Sequence, residues 1–208
     1  MPPLTSMFAF ALASIALLVI PGPAVIYILN RSVSDGRRVG LAAVCGLELG
    51  NFVHVIAATA GLSAILATSA TAFSTVKWLG AGYLIYVGIR TLMRRPVALG
   101  TEAEQISVRR SFTQGVIVNT LNPKVALFFL SFLPQFINPD HGSPALQSFI
   151  FGSIFIVLGF LSDGTYALVA SGLRDKLLRG RTLPVIQRYV SGIVFIALGV
   201  VAGSTRRN

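Results

Sequence analysis

Residues 8–29 read FAFALASIALLVIPGPAVIYIL and carry no charge. A run of this length satisfies a transmembrane helix, which needs about 20 apolar residues for a hydrocarbon core near 30 Å. Pro21-Gly22-Pro23 nevertheless interrupts it. Proline removes a backbone N–H and clashes with the preceding turn, so the helix must break or kink there. Backbone groups freed inside a bilayer survive where protein or a water-filled cavity covers them. The run therefore predicts a broken span beside an interior cavity. Met1 to Ser6 holds no basic side chain and no small-residue cleavage pattern follows, so a retained first helix is expected rather than a signal peptide.

Five further apolar blocks lie downstream, at 40–66, 72–93, 112–137, 148–171 and 187–204. Lys77 and Arg90 shorten the uncharged part of the third, which spans if both side chains snorkel to the interfaces. Of the 208 residues, 54% are hydrophobic and only 12% charged, against about a quarter charged in a soluble domain. That balance excludes a water-facing surface and predicts an all-α integral membrane protein of about six transmembrane helices, one domain over 1–208. The net charge of +10 does not point to nucleic acid, because the basic residues sit between apolar blocks instead of on a polar face. Cys45, the single cysteine, has no partner for a disulfide or a CxxC pair and reads as a small core residue.

The basic residues set the orientation, since cytoplasmic loops carry an excess of Lys and Arg. Thirteen of seventeen lie after the first block, around the third loop, or around the loop that follows the fifth block; the second and fourth loops hold none. Both termini are thereby expected on the periplasmic or extracellular face, with Arg206 and Arg207 as the opposing signal. Residues 94–111 form a cytoplasmic linker between two related halves, 8–93 and 112–204. Lys77-Trp78-Leu79-Gly80-Ala81-Gly82 matches Arg188-Tyr189-Val190-Ser191-Gly192-Ile193, and Asn122-Pro123-Lys124 interrupts the fourth block as Pro21-Gly22-Pro23 interrupts the first. A repeat of three spans must insert its second copy from the opposite face. The expectation is two inverted three-helix repeats with proline-broken first and fourth helices, a plan shared by many secondary transporters.

Counting back to the nearest cytoplasmic arginine at about 1.5 Å per residue places Pro21, Glu48 and Asp163 roughly 15 Å deep, with Lys124 roughly 21 Å deep. Ionised side chains near the bilayer centre cost on the order of 3 kcal/mol or more and rarely face lipid. Glu48, Asp163 and Lys124 are thus expected to face an internal cavity or one another, as a substrate or proton site or as a static ion pair. On the second helix, 100° steps put Glu48, Asn51 and His54 along one side and the small residues Gly46 and Gly50 on the other, a side suited to close helix packing. His54 reads equally as a packing residue or as part of a proton path.

Several segments carry a family resemblance: Pro21-Gly22-Pro23, Arg37-Arg38-Val39-Gly40-Leu41, Gly46-Leu47-Glu48-Leu49-Gly50-Asn51, Trp78-Leu79-Gly80-Ala81-Gly82-Tyr83-Leu84 and Asn119-Thr120-Leu121-Asn122-Pro123-Lys124. In this order, over nearly the whole chain, they resemble the LysE/RhtB family of amino-acid exporters. The resemblance implies proton-driven export of an amino acid through the bacterial plasma (inner) membrane, with no cofactor and no metal, and no enzymatic activity. It implies a substrate or coupling-ion site at Pro21, Gly22, Pro23, Asn51, His54, Asn119, Asn122, Pro123 and Lys124. Glu48 departs from the family pattern, where that position is more often uncharged. The partners expected are the amino acid, the proton and membrane lipid, with homo-oligomerisation left open. Competing classes lack support: there is no HExxH, GxSxG or paired-cysteine motif for an enzyme. One Cys, three Met and two His make a poor ligand set for a metal exporter. A non-transporting scaffold would not need ionisable groups at midplane depth.

Overall fold

The computed structural model describes residues 1–19, 22–68 and 105–173, with isolated positions between 75 and 93 and between 189 and 200; the side chains of 62–68 are not included. The elements are α1 (Leu4–Val19), α2 (Pro23–Ser34), α3 (Arg37–Thr68), α4 (Val108–Thr120), α5 (Pro123–Ser131), two 3-10 turns (Leu133–Phe136 and Pro139–His141) and α6 (Pro144–Gly172). Among the described residues there is no strand. The third and sixth apolar blocks lie largely outside the described residues, and the positions described in them are helical. Pro21 also lies outside.

Both breaks are built the same way. Pro23 opens α2 behind the extended N-cap Gly22 (φ −102°, ψ −168°), and Pro123 opens α5 behind the extended N-cap Asn122 (φ −78°, ψ 107°). Proline suits the first helical position, where its missing N–H would have had no intrahelical partner. The axes of α1 and α2 meet at 54°, and those of α4 and Pro123–Phe136 at 44°. Arg37–Gly61 of α3 and all of α6 are each long and apolar enough to cross a bilayer, and each bent pair suffices as one broken span. The described residues thus supply two to four crossings.

Helix α3 is the central element. Gly46 lies on the backbone of Phe112 and Val116, and Gly50 on Val116, Asn119 and Thr120, so α3 and α4 run parallel with no room for side chains between them. On another side, Val55 packs on Gly152 and Glu48 on Gly159, which sets α6 antiparallel to α3. The assignment of Gly46 and Gly50 to a face opposite the polar residues needs correction: Asn51, His54 and both glycines all meet α4, and Glu48 alone turns to α6. These residues occupy one continuous arc of the helix, which the stepwise angles had divided.

At one end, Gly36 (φ +86°) makes the αL turn that only glycine takes without strain. Arg31 bridges Asp35 at 2.9 Å, and Asp35 Oδ1 accepts the Ile106 N–H at 3.3 Å, drawing the start of α4 to the α2–α3 corner. Ser111 Oγ and Tyr27 Oη fasten the same corner, donating to the carbonyls of Val39 and Ser111. At the other end the Met1 amino group donates to the His141 carbonyl at 2.9 Å, and buried Gln147 donates to the carbonyls of Asn138 and Gly142. Between the ends, Phe10 of α1, Phe128 and Phe129 of α5 and Phe151 and Phe155 of α6 interlock with ring centroids 5.0–6.0 Å apart. Against lipid the hydrophobic effect offers little, so contact packing of this kind holds the helices together.

Cys45 is exposed, not a core residue. It shares an outward stripe of α3 with Leu49, Phe52, Val53 and Ile56. In a bilayer an apolar helix face is as much at home against lipid as in a core, so apolar surroundings in sequence did not imply burial.

Candidate functional site

The two breaks and the middle of α3 and α6 converge. Glu48, Asn51, Asn119, Asn122, Lys124 and Asp163 are all buried, none more than 6% exposed. Lys124, directly after Pro123, lays its side chain across Gly22, where an added Cβ would stand 3.1 Å from Cδ and 3.6 Å from Nζ. The lysine of one broken helix therefore covers the break of the other. Asp163 acts electrostatically on both Lys124 and Glu48.

Four side chains form a one-way chain of hydrogen bonds. The Lys124 backbone N–H donates to Asn122 Oδ1 at 3.1 Å, Asn122 Nδ2 to Asn119 Oδ1 at 3.1 Å, Asn119 Nδ2 to Asn51 Oδ1 at 2.6 Å, and Asn51 Nδ2 to Glu48 Oε2 at 2.9 Å. Its direction is fixed physically, because a backbone N–H can only donate and the Leu47 carbonyl, which also receives Asn119 Nδ2 at 2.7 Å, can only accept. Chains of this kind polarise one another in a low-dielectric interior. His54 Nε2 sits 2.9 Å from the Asn119 carbonyl, with its ring stacked on Phe129. That carbonyl lies in the last turn of α4 and also accepts the Asn122 N–H across the break at 3.0 Å.

Two positions escaped the reading of the sequence. Gly159 admits the Glu48 carboxylate, since a Cβ there would stand 2.6 Å from Oε1 and 2.7 Å from Oε2. Tyr166 donates its hydroxyl to the Val19 carbonyl at 2.8 Å, satisfying an acceptor freed at the end of α1. Both stand one helical turn from Asp163, at i−4 and i+3, which is the signal that would have found them. The α2 N-terminus receives no side-chain cap from Gly22, so α2 presents first-turn N–H groups beside the Lys124 side chain, and a helix N-terminus favours an anion. Among the described residues no three of His, Cys, Asp and Glu stand close enough to hold a metal ion.

Apolar helices around a buried polar centre, with two broken spans beside it, define a multi-pass helical membrane protein with a polar interior. The chain belongs to the LysE type translocator family, whose pattern it matches over residues 15–205. It is 31% identical over 176 residues to an uncharacterized membrane protein of Pseudomonas aeruginosa, covering 82% of this chain and 78% of that one. An uncharacterized membrane protein of Vibrio cholerae is 31% identical over 167 residues, 79% of this chain and 77% of the relative. A homoserine/homoserine lactone efflux protein of Salmonella typhimurium is 34% identical over 164 residues, 78% of this chain and 79% of the relative. No solved structure matches the chain. Family membership places the chain among membrane transporters.

Proposed function

We propose that the protein exports a small zwitterionic solute, an amino acid or a close relative such as homoserine, across the bacterial plasma membrane. The observation that carries this reading is the placement of Lys124 over the break at Gly22, with buried Asp163 acting on both Lys124 and buried Glu48. A zwitterion needs a donor set for its carboxylate and an anion for its ammonium. Lys124 and the uncapped start of α2 offer the first, Glu48 and Asp163 the second, and Asn51, Asn119, Asn122 and His54 hold the surrounding frame. The name of the Salmonella relative supports a solute of this class.

The transport reading carries further parts. The chain acts as one domain of six spans in two inverted repeats, and the like placement of proline behind an extended N-cap at Gly22–Pro23 and Asn122–Pro123 favours this. Coupling uses the proton gradient: a carboxyl gives up its proton to water as the solute's ammonium arrives and regains one after release. Vesicles containing the protein, loaded with labelled homoserine, should release label faster than empty-vector vesicles, and an inward proton gradient should speed release. Equal release with and without the protein would dismiss homoserine as a solute.

A further inference from the structure

The site holds two carboxyls, and their surroundings are unequal. Asp163 has the Lys124 ammonium acting on it as an opposite charge. Among the described residues no cation acts on Glu48; the charged neighbour is Asp163, of like sign. From its own helix α3 the polar groups nearest it are Asn51 and, beyond that, His54, which is engaged with the Asn119 carbonyl. From α6 it meets Gly159 and Asp163; Lys124 of α5 acts on Asp163, and α2 presents Gly22 beneath the lysine.

The two oxygens of Glu48 also differ. Oε2 is occupied by Asn51, the end of the asparagine chain. Oε1 is buried and receives no hydrogen bond from any described residue. A buried acceptor left without a donor costs about 1–3 kcal/mol, more for a charged group. Nothing in the described packing relieves that cost, and Gly159 leaves the carboxylate its space.

We propose that Glu48 Oε1 is the atom that takes the ammonium of the transported solute, while Asp163 stays with Lys124 as its fixed counter-charge and Asn51, Asn119 and Asn122 act as positioning residues. This rests on the exporter reading and narrows it to one carboxyl and one oxygen. The asparagine chain keeps Oε2 occupied in every state, so only Oε1 changes partner. Because the chain starts at the N-cap of α5, the position of Glu48 is tied to the break that carries Lys124. A solute bridging Glu48 and Lys124 would thus join α3 to the broken fourth span.

The test has a part without substrate and a part with it. In detergent, Asp163→Asn should lower the melting temperature on the order of 10 °C, because it removes the anion that acts on the buried Lys124 ammonium, and adding Lys124→Gln should recover most of the loss. Glu48→Gln should melt at the wild-type temperature or above it, since Gln keeps an acceptor for Asn51 and removes the buried carboxyl oxygen that no donor satisfies. In vesicles, counterflow of labelled homoserine should be inhibited by unlabelled homoserine at concentrations on the order of 100-fold lower than by 2,4-dihydroxybutyrate, which replaces the ammonium with a hydroxyl. Glu48→Gln should shrink that ratio at least tenfold, and the Asp163→Asn/Lys124→Gln pair should keep it. A melting temperature for Glu48→Gln as low as that of Asp163→Asn would overturn the assignment, as would a preference for the amine that survives in Glu48→Gln and vanishes in the double variant. Absence of any homoserine counterflow in the wild type would sink homoserine as the solute, and the melting series would still decide between the two carboxyls.

Discussion

Asn119 shows how much a single side chain carries. Its amide nitrogen donates to Leu47 O and Asn51 Oδ1, its amide oxygen accepts from Asn122, and its backbone carbonyl meets His54. Replacement by leucine, of similar volume, would leave buried Asn51 Oδ1 and Asn122 Nδ2 without partners and take a second donor from the Leu47 carbonyl, which keeps its bond within α3. At about 1–3 kcal/mol for each of the two, Asn119→Leu should lose about 3 kcal/mol of stability, read from denaturant melts in detergent. A loss below about 0.5 kcal/mol would mean that other donors replace the amide. At this scale the sequence was legible where residues are neighbours in the chain: Asn122, Pro123 and Lys124 named themselves. It was silent on the bond between Asn51 and Asn119, 68 residues apart, because nothing local pairs two amides across helices. Gly159 and Tyr166 were missed because a glycine and a tyrosine on an apolar helix have no meaning until the facing residue is known.

The elements were the most readable level, since proline acts through its own ring and needs no tertiary partner. The breaks at Gly22–Pro23 and Asn122–Pro123 fall where the sequence puts them, while the ends of α1 and α3 extend beyond the apolar blocks. Helix ends are set by polar turns and caps such as Asp35 and Gly36, and hydropathy does not see these. Alanine at either proline restores the N–H and removes the ring clash, so the half-helices on each side can join. Pro23→Ala and Pro123→Ala should each insert normally yet slow homoserine efflux on the order of tenfold, equivalent to about 1.4 kcal/mol in the rate-limiting barrier. The loss should be larger for Pro123→Ala, because a continuous helix would pull Asn122 out of its capping position and with it the donor to Asn119. Full efflux from both variants would reduce the prolines to bends in the scaffold.

Across the whole molecule, charge and contact divide the bundle into two ends. Arg31, Asp35 and Ile106 meet at one, and Met1, Asn138, His141 and Gln147 at the other. The first end adjoins Arg37 and Arg38 and the start of α4 with Arg109 and Arg110, whereas the loop from Ile137 to Ser143 holds neither Lys nor Arg. If the excess of positive charge marks the cytoplasmic side, as it does for short loops generally, the N-terminus and this loop share the outer face. The tie between the Met1 amino group and the His141 carbonyl makes that a single joint prediction, because one cannot face the cytoplasm without the other. Cys45 has to be replaced first, since it is exposed on α3 and would give background. In a Cys45→Ala background, single cysteines at Ser143 and Thr71 should react with an impermeant maleimide added to intact cells. A cysteine at Ala98, in the arginine-flanked linker, should react only after the membrane is opened. Labelling of Ala98 alone in intact cells would reverse the orientation and place the uncapped start of α2 on a path from the opposite face.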